Sequence, residues 1–207
     1  MSLRIYCQLS LLIGKRMKNS RLVKISKYLS YHLRHHPEKL NLQIEPGGWV
    51  KVEEILTACR RNNFLINLQE LKEVVEKNDK KRFSFNEKRT QIRANQGHSI
   101  AVDLQLKTAT PPAILYHGTV KRVVKSILQQ GLQKMARHHV HLSADVDTAK
   151  IVGARRGKSI IFQVNAMKMS EDGYEFYCSD NGVWLVNEVP PQYLQELESF
   201  FSDRQLN

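Results

Sequence analysis

Cysteine is scarce in this chain of 207 residues: Cys7, Cys59 and Cys178 stand far apart and form no C-x-x-C pair. An odd, sparse set excludes a disulfide framework and a zinc knuckle, and makes a reducing cytoplasm the default location. Long apolar runs are missing too, and none approaches the roughly 18–20 residues of a membrane span. The short run LSLLIG (9–14), flanked by Lys15 and Arg16, is too brief for a signal peptide and has no small-residue cleavage site. Several catalytic signatures are absent: no G-x-x-x-x-G-K-S/T loop, no H-E-x-x-H, no Ser-His-Asp order. Repeats and low-complexity tracts are absent as well.

Acidic residues are outnumbered, 20 against 32 Lys and Arg, for a net charge of +12 at pH 7. The imbalance is segregated. Residues 1–110 carry 21 Lys and Arg against 10 Asp and Glu, whereas residues 111–207 carry 11 against 10. A solubility surface would not divide the chain this way. The first half is expected to meet a polyanion, nucleic acid above all. The break coincides with LQLKTATPPA (104–113), where Pro111 and Pro112 bar a helix. Three parts follow. Residues 1–16 are an extension, disordered or not native, with Met17 an alternative start. Residues 17–108 form a first lobe and 109–207 a second.

In the first lobe Leu22, Ile25, Leu29 and Leu33 recur at helical spacing, with Ser20 available as a cap. A turn, a short strand and a helix from about Val52 follow in 47–62. NLQELKEVVEKND (67–79) carries Leu68, Leu71, Val74 and Val75 on one stripe. RFSFNEKRTQIRANQ (82–96) alternates as a hairpin turning at Asn86–Arg89, with Phe83, Phe85, Ile92 and Ala94 inward and Arg93 outward. Three helices and a hairpin are the order of a winged helix, a fold that serves nucleic acids and proteins alike. The second lobe reads as mixed α+β. Strands are expected at 113–119, 138–145, 159–166, 174–180 and 182–187. Helices are expected at 120–132, stopped by Gly131, and after Asp145, which can cap.

Chemistry concentrates in a few stretches. YLSYHLRHHP (28–37) ends a helix with Arg34, His35 and His36 before Pro37, and Lys24, Lys27, Tyr31 and Arg34 share a face. The helix dipole favours one terminal cation. A phosphate held by guanidinium and imidazole accounts for the rest. Both readings stand on the residues alone. NDKKRF (78–83) brings more cations to the hairpin, though an ordinary solvated face would do so too. YHGT (116–119) offers His, Gly and Thr at a strand end. His139 and His141 share a strand face with no carboxylate or Cys at ligand spacing, so no metal is expected.

Taken in order, the stretches KISKYLSYHLRHHPEKLNLQIEPGGWVKVEEIL, NDKKRFSF, IRANQGHS, LYHGT, HVHLSAD, VGARRGKS and NGVWL closely resemble the KptA/Tpt1 family of RNA 2′-phosphotransferases, over about residues 20–195. The resemblance implies an N-terminal winged-helix RNA-binding lobe joined to a C-terminal, NAD-binding lobe similar to ADP-ribosyltransferases. It implies removal of an internal RNA 2′-phosphate, as at a tRNA splice junction, by transfer to NAD+ consumed as co-substrate. The route passes through an RNA 2′-phospho-ADP-ribose intermediate to 2′-hydroxyl RNA, nicotinamide and ADP-ribose 1″,2″-cyclic phosphate, with no metal. The matching motifs give Arg34, His35, Arg82 and Arg155 as catalytic residues. His117, Gly118, Thr119, His141, Leu142 and Ser143 would line the NAD site, and Lys24, Lys27, Arg93 and His98 would meet RNA. Val183 stands where many ADP-ribosyltransferases carry a catalytic Glu, in keeping with a dianionic acceptor that needs no carboxylate. A cytoplasmic monomer is expected. Two alternatives remain: an ADP-ribosyltransferase acting on nucleic-acid terminal phosphates or another acceptor, and a non-catalytic winged-helix RNA binder.

Overall fold

The computed structural model describes residues 18–77 and 81–197. The expected extension at 1–16 and residues 78–80 of the NDKKRF stretch lie outside them. The described residues gather about two hydrophobic clusters. One is built from Ile25 to Ala94 and the other from Leu115 to Val189.

Helix α1 (Asn19–Arg34) buries Ile25, Leu29 and Leu33, the stripe its spacing predicts. It starts earlier than expected. Lys18 occupies the cap position with no side-chain bond, and its carbonyl accepts from Arg21 and Leu22, so Ser20 lies inside the first turn. Pro37 removes the next donor and the helix ends at His35. Strand β1 (Trp49–Lys51) leads straight into α2 (Val52–Arg61). Helix α3 (Leu68–Glu76) begins with a reciprocal capping box between Asn67 and Glu70 and buries Leu71 and Val74. Leu68, expected on that stripe, sits exposed on the first turn. Strands β2 (Phe83–Phe85) and β3 (Gln91–Ala94) pair antiparallel, and β1 adds to β3, giving the order β1-β3-β2. Ile92 and Ala94 face the cluster as alternation requires.

The second half is built on β4 (Ile114–Val120), paired antiparallel with β7 (Ser159–Asn165) over seven residues. Between them run α4 (Lys121–Gln130), the short β5 (Leu132–Gln133), β6 (Val140–Leu142) and α5 (Val146–Gly153), whose start Asp145 caps as expected. After β7 come α6 (Ala166–Glu171), β8 (Phe176–Cys178), β9 (Trp184–Val186), β10 (Glu188–Val189) and β11 (Leu194–Leu197). The sheets are β11-β7-β4, β6-β9-β8 and β10-β5, with every pairing antiparallel. Tyr116 and Ser143 exchange backbone hydrogen bonds at 2.9 and 2.8 Å, which stitches β4 to the end of β6. The whole is mixed α/β with antiparallel sheets. Among the described residues no helix is long and apolar enough to cross a membrane.

Candidate active site

One face of α1 along its length, the end of α3, Arg82 just before β2 and the turn after α5 enclose a cleft of about 670 Å³. Each wall follows from local sequence. The leucine stripe pins one face of α1 to the core, so Lys27, Ser30, Tyr31 and Arg34 are left on the face that lines the cleft. His35 lies just past the helix end. Arg82 precedes the buried Phe83, whose inward direction sends the arginine the other way. Arg155 sits in the 3-10 turn Ala154–Arg156, which Gly157 closes. Arg34, His35, Arg82 and Arg155, four residues spread over 121 positions of the chain, therefore share one cavity. No carboxylate lines it among the described residues.

That electrostatic imbalance shows in each group. Burial, then the charges of Arg82 and Arg137, lower the Arg34 pKa to about 10. Its Nη2 donates to the Arg82 carbonyl at 3.4 Å, and its buried Nε has no hydrogen-bond partner among the described residues. Burial, then Arg155, lowers Arg82, whose Nη1 donates to Ser26 Oγ at 3.4 Å. Burial, then Arg34, Arg137 and His36, lowers His35 and favours its neutral ring. Cations packed this closely repel one another, and a bound dianion would attract each of them.

The two expected dinucleotide segments meet alongside. His117, Gly118 and Thr119 belong to β4, while His141, Leu142 and Ser143 belong to β6 and its end. None of the six is part of the cleft lining. His117 Nδ1–H donates to the His141 carbonyl at 3.1 Å, which leaves Nε2 with its lone pair. Burial above all keeps both rings neutral, with His141 lowered to about 3. Leu142 is 1% exposed and packs in the second cluster, so only its backbone faces any ligand. Gly118 permits a close approach, but to the protein itself: a Cβ there would stand 1.8 Å from the Ala149 carbonyl of α5.

Three of the expected RNA contacts lie elsewhere. Lys24 is not part of the cleft lining; its ammonium rests 5.8 Å from the Phe64 ring centroid. Arg93 does not project into solvent. Its guanidinium stacks on Trp49 at 4.6 Å and donates to Asp180 at 2.6 Å, so it is occupied between the two halves. His98 is 1% exposed, with neither ring nitrogen partnered, and burial first, then Arg34, pushes its pKa to about 3. Lys27 alone of the four lines the cleft.

Other participants escaped the sequence reading. Arg137 acts electrostatically on Arg34, His35, His117 and His141, and is itself held down by burial, then by Arg156 and Arg155. It stands in the stretch RHHVHLS, where the histidines drew attention from it. Ser26 and Ser30 line the cleft too. Their i, i+4 and i, i+8 spacing from Arg34 was the available signal.

Known proteins are similar to this chain over most of its length. The family model described as RNA 2′-phosphotransferase, Tpt1 / KptA family, matches residues 20–188. A protein of Nostoc punctiforme named "Probable RNA 2′-phosphotransferase" is 59% identical over 181 residues, covering 87% of this chain and 100% of that protein. One of Trichormus variabilis with the same name is 60% identical over 178 residues, 86% of this chain and 98% of its own. One of Streptomyces coelicolor, again so named, is 51% identical over 179 residues, 86% and 97% respectively.

Proposed function

The chain belongs to the Tpt1/KptA family of RNA 2′-phosphotransferases, transferases that remove a 2′-phosphate from RNA, and from that premise we propose the route by which it does so. The phosphate acceptor is NAD+, consumed as a co-substrate. An oxygen of the RNA 2′-phosphate attacks C1″ of the nicotinamide ribose. The C1″–N bond breaks, and its electron pair leaves with nicotinamide. O2″ of the same ribose then attacks phosphorus and loses its proton, while the P–O2′ bond breaks and the RNA oxygen takes up a proton. The products are 2′-hydroxyl RNA and ADP-ribose 1″,2″-cyclic phosphate.

One observation carries this reading: Arg34, His35, Arg82 and Arg155 line a single cleft. A phosphate monoester is mostly dianionic near neutral pH, so the first step needs no strong base. It needs a site that neutralises charge and fixes the nucleophile in line with C1″. The second step spreads charge over the equatorial oxygens of phosphorus, for which fixed guanidinium groups are suited. Arg34, His35 and Arg82 hold the phosphate from the RNA side, and Arg155 reaches it from the other half. His35 passes the proton to the departing RNA oxygen.

The residues of β4 and β6 fit a dinucleotide. His117, neutral and with Nδ1–H committed to a carbonyl, presents an acceptor suited to a ribose hydroxyl. Arg137 and Arg156 supply positive charge for a pyrophosphate. Three helices with a three-stranded antiparallel sheet support a winged-helix RNA lobe, and the antiparallel sheets around β4 and β7 support an ADP-ribosyltransferase-like NAD lobe. The RNA 2′-phosphate of a tRNA splice junction is a substrate of this chemistry.

The test is to incubate the protein with NAD+ and an oligoribonucleotide carrying one internal 2′-phosphate. Dephosphorylated RNA and cyclic-phosphorylated ADP-ribose in equal amounts are expected, only with NAD+ present. Stable ADP-ribosylated RNA would instead favour an ADP-ribosyltransferase, and binding without turnover would reduce the protein to an RNA binder.

A further inference from the structure

His35 is a loosely held ring for a group that must meet a phosphate. It sits beyond the last helical residue of α1 with φ −129° and ψ −39°, so the helix does not fix it. Among the described residues its side chain makes one hydrogen bond, from Nδ1 to Ser99 Oγ at 2.9 Å. Ser99 is itself anchored, because its backbone N–H donates to the Arg34 carbonyl at 2.9 Å. The segment before it touches the rest of the site. Asn95 N–H donates to the Arg82 carbonyl at 2.9 Å, and Gln96 Oε1 accepts from His141 Nε2 at 2.9 Å. Gly97 lies so near Arg34 that a Cβ would be 3.7 Å from its guanidinium.

We propose that Ser99 is a positioning residue for His35, its hydroxyl holding Nδ1 so that Nε2 is the proton-bearing nitrogen offered to the phosphate. A hydroxyl both donates and accepts. It donates to Nδ1 of the neutral ring and accepts from Nδ1–H of the protonated ring. Nε2 therefore carries a hydrogen in the resting neutral ring and in the protonated ring. When it gives that proton to the departing RNA oxygen, Nδ1–H remains and the hydroxyl still accepts it, so the ring need not flip. A carbonyl in place of Ser99 would hold the ring in one orientation but force the neutral form to leave Nε2 bare.

The inference rests on the role given to His35 above, and the experiment separates the two. Turnover of the 2′-phosphorylated oligoribonucleotide with NAD+ is measured for wild type, His35→Ala, Ser99→Ala and Ser99→Thr. In parallel, imidazole ¹⁵N shifts of wild type, Ser99→Ala and Ser99→Thr are recorded, with His35 assigned by its loss in His35→Ala. Ser99→Ala should lower kcat about three- to tenfold, the worth of one hydrogen bond, with KM for both substrates little changed. The His35 Nδ1 and Nε2 shifts should move toward the average of the two tautomers, and Ser99→Thr, which keeps the hydroxyl, should restore both readouts. Full activity in His35→Ala would overturn the role of His35 itself. If His35→Ala is impaired but Ser99→Ala keeps wild-type kcat, or loses activity with unaltered His35 shifts, the positioning role alone is overturned.

Discussion

At the scale of single residues, the cleft is defined by clustered cations, with no carboxylate in its lining among the described residues. Burial, then the charge of Arg155, lowers the Arg82 pKa, yet their side chains come from opposite halves of the chain. Such an arrangement is costly until an anion arrives, and it concentrates the protein's binding energy on a dianion. Replacing Arg82 or Arg155 by Ala is expected to lower turnover about 10²–10³-fold, the usual effect of losing one oriented donor at a developing charge. RNA joined to ADP-ribose should accumulate in rapid-quench experiments with labelled RNA, because the second step depends on these groups most. Unimpaired turnover in both variants would refute their assignment. A second prediction concerns the buried histidines. His98 and His141 have folded pKa values of about 3, with burial the main cause, far below the roughly 6.5 of an unfolded chain. The neutral ring is the folded form. Its stabilising effect is complete above about pH 6.5 and drains away as pH falls toward 3. Unfolding at pH 5 should therefore take up at least about two protons, measurable by calorimetry in buffers of different ionisation enthalpy. Unfolding without proton uptake at that pH would contradict the burial of these rings.

Among the elements, α5 and β4 pack closely at Gly118. Gly118 of β4 lies under the Ala149 carbonyl and Gly153 backbone of α5, and no side chain fits between them. Gly118→Ala should destabilise the protein by about 3 kcal/mol or more, since backbone rather than a flexible side chain must give way. Chemical denaturation measures this, and near-wild-type stability would show that α5 can shift freely. Because the turn carrying Arg155 follows α5 directly, the variant should lose activity as well. These contacts also explain which elements could be read in advance. α1, α2, α3 and α4 announce themselves by apolar residues at helical spacing, and Asp145 and Pro37 mark ends through their own chemistry. The two-residue strands β5 and β10, the six-residue α6 and the late strand β11 carry too few residues for any period to emerge, and only pairing across the fold creates them. The surroundings of Arg93 were not legible for a related reason. Alternation in its strand correctly turned it away from the first cluster, but Asp180, 87 positions on, decides what it meets. The four cleft residues were legible because each is embedded in a specific motif. Arg137 was not, because neighbouring histidines and a lone cation give no local signal of a distant arginine.

For the molecule as a whole, the two halves act through what lies between them. Arg93–Asp180, Gln96–His141 and the His138 bond to the Ile100 carbonyl cross that boundary. The Arg93 side chain is 18% exposed and Asp180 47%, so the pair is screened. Asp180→Asn is expected to cost no more than about 1 kcal/mol in unfolding free energy. A loss of several kcal/mol would make this pair, rather than the two hydrophobic clusters, the main tie between the halves. The charge asymmetry belongs to this scale too, and it predicts RNA affinity that falls steeply with salt, less steeply after Lys27→Ala removes one cleft cation. The central claim, that both halves contribute cations to grip one RNA 2′-phosphate, is tested most directly by binding without catalysis. Two oligoribonucleotides of the same sequence, one with and one without an internal 2′-phosphate, are titrated in the absence of NAD+ against wild type, Arg34→Ala and Arg155→Ala. The phosphate should strengthen binding to wild type at least about tenfold, the 1.4 kcal/mol of one charge-assisted hydrogen bond, and either variant should lose that preference while keeping its affinity for the unphosphorylated strand. Equal affinity of the wild type for both strands would contradict the account.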